Sequence, residues 1–433
     1  MIQLEQLLEL ALKHADQAEI RLDESQSTGV SFADAMLDEL STTFTQSILL
    51  RLIKDGKLGT AITCNLIDPQ EFVQHALESL KGGVEAPFSF PATREVKKLH
   101  TYDSAIEKVE NAHMVEELER LSDRLKSATG SEVSASNGRT MLRGRLLNSA
   151  GADLRSQESH YYLWCSAGYP GGAAGVGRLI TDKTFVPFGD DLLQNLVERY
   201  NAGRELVKPD SGRMEVLFMP QTMITLLWRL TVATNGLAIY RKVSPLQERM
   251  GQQVLSSKFT MVNNPLDDTL PGAEAYDGEG VATRELPIFE NGVLKNFYYD
   301  LRYAAKCGVA PTGTGANGAP ALRHVHITPG QKSIAEMIAG MKRGLLLEGI
   351  MGAHSGNINN GDFSVGATPA YYVEDGRIVG QVKDVMVAGN AYETLSNIVE
   401  LSRERSMANV DMGGGMGYVP AVLCENVSVT CKK

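Results

Sequence analysis

Between Gly212 and Tyr240 the chain passes from a strand through a proline into an apolar helix, and few architectures accommodate that succession. Met214-Glu215-Val216-Leu217-Phe218-Met219 has the large apolar content of a buried strand, and Pro220 presets the backbone angle of a first helical turn. Met223, Leu226, Leu227, Leu230 and Ala233 then recur at helical spacing, which makes one face core, while Thr225, Trp228, Arg229 and Val232 lie off that line. Asn235-Gly236 is a stop signal. Two readings stay open. This is a plain core helix whose one arginine packs its stem and sends its head to water or a carboxylate, or it is the seat of the chain's chemistry.

The rest of the chain alternates short strand-like runs with a few helices. Residues 2 to 15, beginning at Ile2, have an amphipathic helical pattern. Ala18–Leu22, Gly29–Phe32, Leu40–Thr45 and Ile48–Ile53 read as short strands, with Asp55-Gly56 as a hairpin turn and Asp68-Pro69 as a helix start. Gly82–Leu99 is an excursion, and a helix resumes from about Asn111 to Ser127. Glu132–Ser136, a turn at Asn137-Gly138, Thr140–Leu147 and Ser159–Ala167 form a meander, and the Gly-rich run Tyr169–Gly177 is a surface loop. Asp190–Leu206 is helical and leads to the turn Pro209-Asp210-Ser211-Gly212, which divides the chain into domains 1–211 and 212–433. Beyond it strands dominate, interrupted by helices over Ser333–Leu346 and Ala391–Arg403. The fold class is α+β: an N-terminal antiparallel sheet with helices, then a larger β-rich domain.

Composition excludes several function classes. With 433 residues and 43% apolar content the chain can build two or three domains, yet no run of eighteen apolar residues is unbroken, which argues against a membrane span. The net charge of −10 opposes a phosphate backbone, so nucleic acid is a poor direct ligand. Five cysteines with no Cys-x-x-Cys pair suit reduced thiols, and the acidic N-terminus lacks an export signal; both point to the cytoplasm.

Four clusters carry candidate chemistry. His324-x-His326 puts two imidazoles on one face of a strand, as two zinc ligands require or as a polar pair on a solvated face also would. Asp277-Gly278-Glu279-Gly280 places two carboxylates in a turn, where they orient a peptide, bind a cation, or serve the turn itself. His354, Ser355, Asn357 and Asp362 lie close in sequence, but no strand-Ser-helix elbow surrounds the serine. Gly413-Gly414-Gly415-Met416-Gly417 reads as a loop.

Taken in order, many of these pieces resemble the TldD/PmbA (TldE) family, whose members are also called modulators of DNA gyrase. The resemblance runs through Leu147-Asn148-Ser149-Ala150-Gly151, Tyr276-Asp277-Gly278-Glu279-Gly280-Val281, Glu290-Asn291-Gly292-Val293-Leu294, Ile327-Thr328-Pro329-Gly330, Gly349-Ile350-Met351-Gly352, Gly361-Asp362-Phe363-Ser364, Val387-Ala388-Gly389-Asn390 and Pro420-Ala421-Val422-Leu423. It implies a two-domain protein of proteolysis. In the TldD branch the helix after the same strand and proline carries His-Glu-x-x-x-His, and a Cys near the C-terminus completes a zinc site. Counted from Pro220, those positions here are Trp228, Arg229 and Ala233, and Cys424 follows Pro420 where the family's Cys precedes it. An indole and a methyl do not bind zinc, and a guanidinium does not take a proton from water.

The resemblance therefore implies a PmbA/TldE-like, non-catalytic subunit of a cytoplasmic metallopeptidase acting on extended or unfolded peptides, with no cofactor of its own. A TldD-like partner would bring the zinc. The alternatives are a stand-alone peptide-binding or scaffold homodimer, or a hydrolase using His354, Ser355 and Asp362 or a metal on His324 and His326. Residues expected to meet a peptide or partner are Arg229, Asp277, Glu279, His354, Asn357 and Asp362, with Arg229 facing an interface or channel.

Overall fold

The computed structural model describes residues 3–171, 174–316 and 318–432; Ile2, Gly172 and Ala173, which figured in the expected first helix and Gly-rich loop, lie outside them. The first sheet is antiparallel, with order β3-β2-β1-β4-β5-β6. Its strands are β1 (Gln17–Ala33), β2 (Met36–Lys54), β3 (Lys57–Thr63), β4 (Val133–Asn148), β5 (Asp153–Gly168) and β6 (Gly175–Asp182). The four short runs expected before residue 54 are thus two long strands. Asp34 and Ala35, at φ 49° and 65°, form the tight turn between them, and Ala33 pairs with Met36 across it. The turns at Asp55-Gly56 and the helix start at Asp68 hold: the Asp68 carboxylate accepts from Gln70 N and Glu71 N, capping α2 (Pro69–Ser79).

Asn137-Gly138 is not a turn. Both residues sit inside β4, with Asn137 opposite Val30 on one side and Leu163 on the other. The Asn137 side chain instead donates to the Met114 carbonyl at 2.9 Å, tying α3 (Asn111–Thr129) to the sheet. A Cβ at Gly138 would lie 2.5 Å from the Tyr162 ring, so the glycine makes room for a cross-strand aromatic. α1 spans Leu4–Leu12 and, with α2, covers Ala18, Ile20, Ile48, Leu50 and Leu52. α4 (Asp190–Ala202) is shorter than expected, and β7 (Leu206–Val207) follows it and pairs with Arg377–Val382 of the second sheet.

The second sheet is mixed, with fourteen strands among the described residues. β8 (Gly212–Phe218) runs through its middle, antiparallel to Met416–Cys431 and parallel to Arg343–Leu347. Strand alternation splits its side chains between two cores. Val216 and Phe218 pack with α5 (Ile224–Thr234), whereas Leu217 and Met219 meet Leu121, Leu196 and Tyr371 against α3 and α4. Two expected helices are cut short. Ile334–Gly340 is helical but Arg343–Leu347 is a strand, and Ala391–Ser396 is helical but Ile398–Asn409 is a strand.

Candidate functional site

Pro220 starts a single 3-10 turn, Pro220–Thr222, whose Thr222 hydroxyl donates to the Met219 carbonyl at 2.9 Å. α5 then runs beneath the second sheet and is buried almost all round, with Trp228 and Val232 only half-buried. The helix therefore has to satisfy Arg229 internally.

Arg229 is 0% exposed. Its Nη1 donates to the Thr225 carbonyl at 3.0 Å and to the Ala353 carbonyl at 2.7 Å, Nη2 to Ser355 O at 2.7 Å, and Nε to Asp362 O at 3.2 Å. The guanidinium also stands 5.7 Å from the Trp228 ring centroid. Burial pulls its pKa below the usual arginine value, with the Asp362 charge opposing that shift. The expectation that Arg229 faces a channel or partner is therefore corrected. Its fork is consumed by four main-chain oxygens of its own chain, three of them in the segment from Ala353 to Asp362, and it staples that segment to α5.

Arg229 lies one layer below the surface, because the covering residues are largely exposed: Met351, His354, Gly356, Asn357, Asn359, Asn360 and Asp362. His354, Asn357 and Asp362 are thus brought to one exposed loop above the arginine. Asn357 Oδ1 accepts from Asn360 N at 3.2 Å, and Asp362 Oδ1 accepts from Asn390 Nδ2 at 3.0 Å. Among the described residues no hydrogen bond joins the side chains of His354, Ser355 and Asp362, so they do not form a relay.

The seat does not fit a zinc ion. Its lining is a guanidinium, an indole and the Ala233 methyl, and the converging carbonyls are already filled by Arg229. Cys424 is buried on the strand Met416–Cys431 opposite Val216, where burial drives its thiol pKa strongly up.

Asp277 and Glu279 are 4% and 2% exposed. Asp277 Oδ1 accepts from Glu279 N and Val281 N, both at 2.9 Å, and Oδ2 from Gly315 N at 2.7 Å, so this carboxylate builds its own turn. Glu279 accepts from Leu301 N at 2.8 Å and faces Arg51 Nη1 at 3.3 Å. Arg51 in turn donates to Glu19. A peptide-binding role for this pair is replaced by a structural one: a buried Glu19–Arg51–Glu279 bridge joins the first sheet to the turn after residue 276. Nothing in the spacing of Glu19 and Arg51 announced it, although each faces inward on a strand.

His324 and His326 are not on a solvated face. Their strand, His324–Ile327, lies inside the second sheet, and His324 is 2% exposed. One consistent proton arrangement has His324 Nε2 donating to the Pro271 carbonyl at 3.1 Å while His324 Nδ1 accepts from His326 Nε2 at 2.8 Å. His326 Nδ1 then stands 3.8 Å from Asp267 Oδ2. Burial, then the neighbouring ring, pulls His326 down to about 4. Among the described residues no three His, Cys, Asp or Glu side chains converge as a metal site would need.

Residues 211–431 match the model of the PmbA/TldA metallopeptidase C-terminal domain, and residues 18–82 match that of PmbA/TldA metallopeptidase domain 1. An uncharacterized protein of Methanocaldococcus jannaschii is 25% identical over 401 residues, covering 92% of this chain and 94% of its own. TldE from Thermococcus kodakarensis superposes with a TM-score of 0.90 at 23% identity over 99% of each chain. A Thermotoga maritima protein described as a modulator of a DNA gyrase gives a TM-score of 0.86 at 24% identity, over 98% of this chain and 99% of its own. These two structures share the fold, and chemistry has to be argued from the residues at the site.

Proposed function

Because this chain belongs to the PmbA/TldD metallopeptidase family, we propose that it is a TldE-like subunit that has no catalytic centre of its own and completes a peptidase whose partner, a TldD-like chain, brings the zinc and the base. The observation that carries this reading is the state of Arg229. A side chain that holds four carbonyls in place occupies the helix position where the catalytic glutamate is expected, and Trp228 and Ala233 stand where the histidines are expected.

A second observation favours a partner chain. Met36–Ser47 of β2 is exposed on both faces, and β3 pairs only with Ile48–Lys54, so the outer edge of this stretch carries no strand among the described residues. Leu37, Leu40 and Phe44 stand out from it at 52%, 43% and 72% exposure. Long unpaired edges that expose several apolar side chains invite pairing with another chain, either a TldD-like subunit or a second copy. Extended peptide would be held through main-chain hydrogen bonds at sheet edges, a mode that asks for no particular side chain, and the complex would work in the cytoplasm.

The test is co-expression with a chain carrying His-Glu-x-x-x-His, followed by purification and a peptide-cleavage assay. The expected result is a stable mixed complex whose cleavage is lost on chelation, with this chain inactive by itself. Metal-dependent cleavage by the isolated chain would overturn the reading, and a homodimer that ignores the partner would favour a stand-alone peptide-binding protein.

A further inference from the structure

A cleft of about 520 Å³ opens far from α5 in sequence, between the first sheet and the second half of the chain. Arg21, Asp23, Gly144 and Glu158 line it from β1, β4 and β5, and Glu274, Tyr276 and Arg323 from the other side. The irregular segment 96–102 forms a third wall, anchored where His100 N donates to Asp268 Oδ2 at 2.6 Å and Lys97 Nζ to Leu266 O at 3.4 Å. The volume lies within the range of small-molecule sites, roughly 300–1,000 Å³.

An account of its charges leaves a specific remainder. Arg21 pairs with Asp23 at 2.8 Å, Arg145 with Asp153 at 2.8 Å and Glu5 at 2.7 Å, and Glu158 meets His160 at 3.1 Å. Asp277 is spent on three amides. Arg155 stands 3.8 Å from Asp153, and Glu274, Arg323, Lys98 and the His100 ring make no side-chain hydrogen bond or ion pair among the described residues. Glu274 is set back in the wall, and burial, then the Glu158 charge, pushes its carboxyl up to about 7. Groups left like this in a cleft are free to serve a ligand.

From this remainder we infer that the cleft binds a short zwitterionic peptide, about a dipeptide in size, with its ammonium on Glu274 and its carboxylate on Arg323 and Lys98. A simple anion leaves the Glu274 carboxyl unused, and a simple cation leaves Arg323 and Lys98 unused. Leu99, Leu146 and Tyr276 supply apolar wall for one side chain of the ligand. The inference does not rest on the subunit reading above, since it uses only side chains of this chain.

The test is calorimetric titration of the full chain at pH 8 with Ala-Leu carrying free termini, beside N-acetyl-Ala-Leu and Ala-Leu amide. Free Ala-Leu is expected to bind, and blocking either end to weaken binding at least roughly tenfold, the worth of one charge-assisted contact. Glu274→Gln should erase the preference for the free ammonium, and Arg323→Gln the preference for the free carboxylate. Arg323 is exposed, so its variant folds and keeps the test decisive even where another fails. No heat with free Ala-Leu up to roughly 10 mM, or equal binding of blocked and free peptides, would overturn the inference.

Discussion

Arg229 Nη1 lies 2.7 Å from the carbonyl oxygen of Ala353, so a guanidinium on α5 and the main chain of an exposed loop form one unit. Removing the side chain orphans several carbonyls at once and leaves a hole beside Trp228. We predict that Arg229→Ala destabilises the protein by about 3 kcal/mol, because a hydrogen-bonded buried cation is lost without a replacement for its partners. Arg229→Lys should recover only part, since an ammonium cannot span the same fork. Urea unfolding measures the loss, and limited proteolysis should show new cleavage between residues 351 and 361. An Arg229→Ala protein as stable as its parent would remove the staple from consideration.

The bridge from the first sheet to the second half gives a prediction with a pH signature. Arg51 and Glu279 are both nearly inaccessible, at 5% and 2% side-chain exposure, and Glu19 is equally buried at 2%. Arg51→Ala would strand two carboxylates, and we predict a loss of roughly 3 kcal/mol or more at neutral pH. Burial already holds the Glu19 carboxyl above its ordinary value against the pull of Arg51, and without that cation it rises further. The deficit is therefore smallest at pH 4.5 and grows as pH rises, because the unfolded chain sheds protons that the folded one retains. Paired urea melts at pH 4.5 and 8 check it; a deficit independent of pH counts against the bridge.

Glu274 and His326 should bend the stability curve in opposite directions. Glu274 titrates at about 7 in the folded chain, while an unfolded glutamate ionises near pH ~4, so between these values the folded state holds the extra proton. Its contribution falls as pH rises through that window, and Glu274→Gln is predicted to gain on the parent from pH 4.5 to 7.5. His326 is held at about 4 against an unfolded value near ~6.5, so the unfolded state binds the extra proton and stability rises with pH across that interval. His326→Gln should flatten that rise. Parallel denaturation at several pH values separates the two; slopes of the same sign would contradict the assignment.

What the sequence disclosed and what it withheld divide along physical lines. Local chemistry was readable: Asp55-Gly56, the Asp68 cap and the strand–Pro220–helix order need only neighbours to be specified. Arg343–Leu347 was not, because a short run such as Leu345-Leu346-Leu347 is equally apolar as a buried strand or a helix, and its partner β8 lies more than a hundred residues away. Asn137-Gly138 misled for a related reason: a strong turn dipeptide yields when its side-chain amide finds the Met114 carbonyl and its missing Cβ admits Tyr162. At α5 the identity of Trp228, Arg229 and Ala233 was legible, but the direction Arg229 faces was not, since three of the four carbonyls that claim it come from residues 353 to 362. Glu274 stands only two positions before the Tyr276-Asp277-Gly278 turn, yet its lack of a partner among the described residues is a three-dimensional fact.

The exposed half of β2 carries the last prediction. Phe44 is 72% exposed and Leu40 43%, both on a strand that β1 pairs on one side only along Met36–Ser47. A charge placed there touches no core, so Phe44→Glu should change the stability of the single chain by less than about 0.5 kcal/mol. Where another chain covers this edge, the same carboxylate would be desolvated against apolar surface, and assembly should weaken by at least roughly tenfold in dissociation constant. Light scattering across a dilution series, with and without a His-Glu-x-x-x-His partner, reads the effect and says which assembly uses the edge. If Phe44→Glu assembles as tightly as the parent in both settings, the edge is solvent-facing in the working protein and the contact must be sought on another surface.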